Sequence, residues 1–150
     1  MSSFTSFDGT SEMSISYASR ASKEQGKDLW VVNQPFDYYI GEKADDVWVH
    51  VPMGYLTDGA TVPRVFWWLI PPLGRYGQAA VLHDYLREKR VVVKKGQEVP
   101  VSIKEIDGIF LDAMKVLEVP VWKRYLMYGA VRAWAIGKAW WQSQQAPKAA

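Results

Sequence analysis

Val47-Trp48-Val49-His50-Val51-Pro52-Met53-Gly54-Tyr55-Leu56-Thr57-Asp58-Gly59-Ala60-Thr61-Val62-Pro63 is the stretch on which the reading of this chain turns. Its first five residues alternate strictly, the period of a half-buried strand. His50 is opposite in phase to Val49 and Val51, so it belongs to the solvent face. The segment Thr57 to Pro63 then combines a glycine with a proline that fixes its own φ, which suits neither a regular helix nor a central strand. Upstream of this turn the pattern is β; downstream it is helical.

Working back, Phe36-Asp37-Tyr38-Tyr39-Ile40 and Leu29-Trp30-Val31-Val32 are strand candidates, and Gly41 to Asp46 carries the chemistry of a hairpin loop. Ile15-Ser16-Tyr17 alternates as a short strand. Ser19 to Lys27 is polar and reads as a turn or mobile loop, within a flexible or partly stranded segment over 1–28. Working forward, helical spacing runs from Arg75 to Lys89 and from Ser102 to Leu117, where Ser102 and Glu105 form a capping box. Pro120 then opens a third helix over Val121 to Gln144. Between the first two helices, Val91-Val92-Val93 and Glu98-Val99-Pro100-Val101 flank a small hairpin or extended loop, and residues 145–150 form a frayed tail. Strands followed by helices predict an α+β fold over 29–144: a small antiparallel sheet from the N-terminal half, packed against about three helices from the C-terminal half.

Composition narrows the function classes. The formal charge of +2, with Lys and Arg scattered, does not argue for nucleic acid. The absence of cysteine removes disulfides, thiol catalysis and Cys-ligated zinc. The start, Met1-Ser2-Ser3-Phe4, has no signal-peptide pattern, and no apolar run is long enough for a membrane span. Eight Trp is a surplus for this length and suggests that some face a partner. Phe66, Trp67 and Trp68, followed by Leu69-Ile70-Pro71-Pro72, read as either a docking loop or a lid over the core. Trp140 continues the stripe of Arg132 and Ile136, whereas Trp141 falls off it and is a candidate partner contact.

Three helices place an ionisable residue on an apolar face. His83 shares its face with Tyr76, Ala79, Ala80 and Leu86; Asp84 lies at the border of that face. Asp107 stands among Ile103, Phe110, Leu111 and Met114, and Arg132 among Tyr125, Tyr128, Gly129, Ala135 and Ile136. An isolated buried charge costs several kcal/mol, so the economical expectation is that these groups meet. Asp58, delivered by the turn, is the candidate further member. Such a cluster has two roles open to it. It can fix the packing of the elements, with Arg132 as charge partner. Alternatively Asp58, His83, Asp84 and Asp107 can act as an acid–base set, or Asp58, His83 and Asp107 can hold a divalent metal, zinc or manganese, for hydrolysis.

The ordered blocks Val51-Pro52-Met53-Gly54-Tyr55, Thr57 to Arg64, Ala79-Ala80-Val81-Leu82-His83-Asp84-Tyr85-Leu86, Asp107…Phe110…Met114 and Tyr128-Gly129-Ala130-Val131-Arg132 resemble the family catalogued as domain of unknown function 1353. The resemblance covers roughly Leu29 to Trp140, with Ile106 standing where the family usually has alanine. It implies an origin in bacteriophages or prophages and shared positions for Asp58, His83, Asp84, Asp107 and Arg132. It supplies no activity. Two expectations follow. The first is a virion or assembly component of the tail, baseplate or head–tail region, in contact with other phage structural proteins and open to homo-oligomerisation, in the virion or the host cytoplasm. The second is a metal-dependent hydrolase of phage origin acting on cell wall or a host phosphoester, which a virion could also carry.

Overall fold

A computed structural model of the chain describes residues 14–41, 45–58 and 77–145, together with the backbone of 6–7. Val47 to Val51 forms a strand (β5) paired antiparallel with Phe36–Ile40 (β4), with Phe36 opposite Val51 and Tyr38 opposite Val49. Those four side chains are buried on one face. On the other, His50 is exposed and its Nδ1 lies 2.5 Å from Asp37 Oδ1, its cross-strand neighbour. The phase read from the alternation therefore holds.

Ser6–Phe7 (β1) pairs with the outer edge of β4. On the other side, Val91–Lys94 (β7) and Gln97–Pro100 (β8) complete a five-stranded antiparallel sheet in the order β1-β4-β5-β7-β8. The β7–β8 connection is a two-residue turn in which Lys95 and Gly96 both have positive φ, 50° and 76°, the signature of a type I′ hairpin. The segment read as a small hairpin or extended loop is thus a hairpin, and it adds two strands from the C-terminal half to the sheet. The turn chemistry sits in Lys95-Gly96, and Val92 is buried in the core. A second, three-stranded antiparallel sheet joins Ile15–Tyr17 (β2), Trp30–Val32 (β3) and Leu56–Thr57 (β6).

Ser19–Gln25, expected as a turn or loop, is a short helix (α1). It has no apolar stripe to betray it. Its anchor is polar: Ser22 is buried and its Oγ accepts from the backbone N–H of Leu29 at 2.8 Å, while Gly26 at φ 68° ends the helix. The three long helices are Gly77–Lys89 (α2), Ile103–Val116 (α3) and Val121–Gln145 (α4). The Ser102–Glu105 capping box closes reciprocally, with Ser102 N–H donating to Glu105 Oε2 at 2.7 Å and Glu105 N–H to Ser102 Oγ at 3.2 Å. Ala79, Leu82 and Leu86 of α2 meet Ile106, Phe110, Ala113 and Met114 of α3 in one core with the inner face of the larger sheet. The segment 59–76, with Phe66, Trp67 and Trp68, lies outside the described residues.

α4 departs most from its sequence reading. Its buried residues are Met127 and Val131, whereas Tyr125, Ile136 and Trp140, on the stripe read as inward, are exposed. The helix is apolar on two sides, so periodicity alone does not choose between them. Among the described residues no helix is long and apolar enough to cross a membrane.

Candidate functional site

The expected meeting of three helices takes place. His83 Nε2 lies 2.7 Å from Asp107 Oδ1, and Arg132 Nη1 donates to the other carboxylate oxygen, Oδ2, at 2.9 Å. His83 and Asp107 are fully buried, and Arg132 enters from the half-exposed edge of α4. The imidazole also packs on the ring of Phe110, one turn beyond Asp107 on α3, with centroids 4.7 Å apart. Burial pushes the Asp107 carboxyl up, but the hydrogen bonds from His83 and Arg132, with the charges of His83 and Arg87, outweigh it and hold the group below its ordinary value. Asp107 is therefore a fixed anion. With Nε2 donating to it, the lone pair of a neutral His83 ring lies on Nδ1.

Among the described residues, the other two carboxylates have partners of their own. Asp84 accepts from the hydroxyl of Thr57 at 2.6 Å, which ties α2 to β6. Asp58 pairs with Lys27 Nζ at 3.2 Å, just beyond α1. What unites the polar residues is a cavity of about 780 Å³ at the junction of α1, β6, α2 and α4. His83, Asp84, Asp58, Thr57, Arg87 and Trp134 all line it. Glu88 and Tyr55 close part of the wall. Burial, then the charges of Asp84 and Glu88, push the Tyr55 hydroxyl far above its usual range, so it stays protonated as a donor. Tyr55 is itself braced edge-on against Tyr85, 5.2 Å between centroids.

The proposed metal set of Asp58, His83 and Asp107 is not assembled. Among the described residues no three of His, Asp and Glu are grouped to hold a metal ion. The physical reason is in the pairing. Both oxygens of Asp107 are engaged by His83 and Arg132, and Asp58 is turned to an ammonium. Asp107 is a partner of the imidazole.

Residues 30–131 match the family described as "Protein of unknown function (DUF1353)". The chain belongs to that family. Among its relatives is the uncharacterised protein y4jT of Sinorhizobium fredii (strain NBRC 101917 / NGR234), 35% identical over 83 residues, which are 54% of this chain and 22% of that protein. The chain thus matches only about a fifth of that relative's length. No solved structure matches the chain. The DUF1353 match takes in Asp58, His83, Asp84 and Asp107 and ends at Val131, one residue before Arg132.

Sequence reasoning missed several residues of the cavity. Thr57 was read as turn material, yet its hydroxyl positions Asp84. Lys27 lay in a segment without periodicity. Ala130, Trp134 and Lys138 line the cavity at spacings of four along one side of α4, and that spacing was available as a signal. Arg87, four residues after His83, lines it too.

Proposed function

We propose that this chain is a hydrolase whose reaction takes place in the cavity bordered by His83, Asp84 and Asp58. The observation that carries this reading is the His83–Asp107 pair: a carboxylate held ionised in the core grips one nitrogen of an imidazole whose ring lines a substrate-sized cavity. In this role His83 takes a proton from water as the water oxygen attacks the substrate. It then returns the proton to the leaving group. Asp107 is a positioning residue that fixes the tautomer and stabilises the imidazolium, and Arg132 keeps Asp107 ionised. The Arg87 guanidinium, one turn along α2, is the candidate partner for charge developing on the substrate oxygen. Cell wall, and esters or phosphoesters of the host, are the substrate classes in view.

The test is a panel of soluble carboxylic esters, phosphoesters and purified peptidoglycan, assayed with wild type and His83→Gln. Turnover of one class, reduced by about a hundredfold or more in the variant, supports the reading. No turnover of any class by folded wild-type protein overturns it.

A second reading, a phage virion or assembly component, is favoured by a separate feature. On the side of α4 turned away from the core, Val121, Trp122, Tyr125, Ile136 and Trp140 are all exposed. Exposed apolar side chains at both ends of one helix are of the kind that dock on another protein. The two readings are compatible in a virion-borne enzyme. Quantitative mass spectrometry of purified particles checks the second: a fixed copy number supports it, and absence from the particle removes it.

A further inference from the structure

Trp134 lines the cavity that holds His83 and is 67% exposed, so its indole stands at the mouth. Behind it the wall is polar and electrically balanced. Among the described residues, three cations, Lys27, Arg87 and Lys138, are matched by three carboxylates, Asp58, Asp84 and Glu88. The two signs are interleaved. Lys27 Nζ lies 3.2 Å from Asp58 Oδ2. On α2, Arg87 and Glu88 follow Asp84 by three and four residues, on one side of the helix. Hydroxyls hold two of the carboxylates, with Thr57 donating to Asp84 and Tyr55 to Glu88. Gln25, whose amide both donates and accepts, belongs to the same wall.

Resting on the hydrolase reading for the use made of the cavity, we infer that its ligand is an uncharged saccharide chain, one ring of which stacks on Trp134. The CH-rich face of a pyranose is flat and apolar, and it matches an indole otherwise left to water. The rim of the same ring carries hydroxyls, each able to donate and to accept. A wall with carboxylates and cations side by side serves neighbouring hydroxyls in both senses: one donates to Glu88 while the next accepts from Arg87. The same wall is poor for other ligands of this size. A polyphosphate would meet three carboxylates, a polyamine three cations, and an acyl chain would desolvate both. The volume of about 780 Å³ lies within the range of ligand pockets, and a mouth marked by an exposed Trp134 lets a chain continue outward. Of the substrate classes named above, the glycan of the cell wall is the one with this chemistry.

The experiment titrates the full chain by calorimetry with chitotetraose and maltotetraose, two uncharged chains that differ in linkage and in N-acetyl groups, and with ATP as a polyphosphate control. Expected is saccharide binding at least about tenfold tighter than that of ATP. Raising the salt should change it less than about twofold, because no net charge is neutralised. Chitotetraose should bind more tightly than maltotetraose; the reverse order keeps the saccharide and removes the cell wall as its source. Trp134→Ala, altered at an exposed position, should lose about tenfold or more, and Trp134→Phe, which keeps a flat ring, should recover most of that loss. Sugar binding indifferent to Trp134→Ala, or ATP bound more tightly than either sugar, overturns the inference. Turnover of a soluble ester or phosphoester with neither sugar bound also overturns it, and leaves the hydrolase reading standing. Trp134-dependent sugar binding by a protein that cleaves no substrate class keeps the ligand assignment and removes the hydrolase reading.

Discussion

Asp107 Oδ1 and His83 Nε2 are 2.7 Å apart, on adjacent helices, with both side chains buried and the imidazole also part of the cavity wall. The pair is made tolerable by Arg132, whose guanidinium donates to the other carboxylate oxygen from a position that still touches water. A buried carboxylate and imidazole alone would be a costly way to join α2 and α3. With the third group the carboxylate is fully used.

Removing one member should therefore hurt more than replacing two. Asp107→Ala leaves a guanidinium and an imidazole without their acceptor, and should cost about 3–5 kcal/mol in urea denaturation. The pair Asp107→Leu with Arg132→Met should be less destabilised than that single variant. Equal losses would show that the carboxylate does not couple the helices.

The sign of the pH dependence follows from the direction of the Asp107 shift. Its carboxyl is held below the ordinary value in the folded chain, so the unfolded state binds the proton first on acidification. The stabilisation is fully present above the unfolded carboxylate range near ~4 and is lost as pH falls through the lower folded value. Urea midpoints measured from neutral pH into acid should fall more steeply for wild type than for Asp107→Asn. Parallel curves would remove Asp107 from the acid transition.

Thr57→Val keeps the shape of a buried side chain but deletes the hydroxyl that donates to Asp84 at 2.6 Å. A loss of roughly 1–3 kcal/mol is expected, because a partly buried carboxylate loses a donor. Thr57→Ser should recover most of it. Failure of serine to rescue would mean that the methyl group, not the hydrogen bond, matters at this position.

The orientation of α4 can be read from a contrast of two substitutions. Met127→Ala empties a buried site and should cost about 2–5 kcal/mol, whereas Ile136→Ala alters an exposed one and should stay within about 0.5 kcal/mol. The reverse order would put the Ile136 face against the core.

Ser102→Ala opens one half of the capping box, and a loss of about 1 kcal/mol is expected, measured by thermal or urea unfolding. Glu105→Ala removes the other half, and the two losses should be non-additive because the bonds are reciprocal.

Wherever one local rule governed, the sequence by itself determined the outcome. Strict alternation set the buried phase of Val49 and Val51 and the exposure of His50; the Ser102–Glu105 box marked the start of α3; and the apolar stripe around Asp107 announced a buried carboxylate that needed partners. Each depends on neighbours within one element, whose period is a property of the backbone. Tertiary structure decided everything that depended on which elements came together. It chose Met127 and Val131 as the buried face of an α4 that is apolar on two sides, drew β7 and β8 into the main sheet, and made a helix of Ser19–Gln25 through contacts of Ser22 with Leu29. It also divided the polar residues. His83, Asp107 and Arg132 became one buried chain, while Asp58 and Asp84 were matched to Lys27 and Thr57 on the wall of a cavity. Spacing along a chain constrains which residues share a face; which face meets which is settled by the packing of all the elements at once.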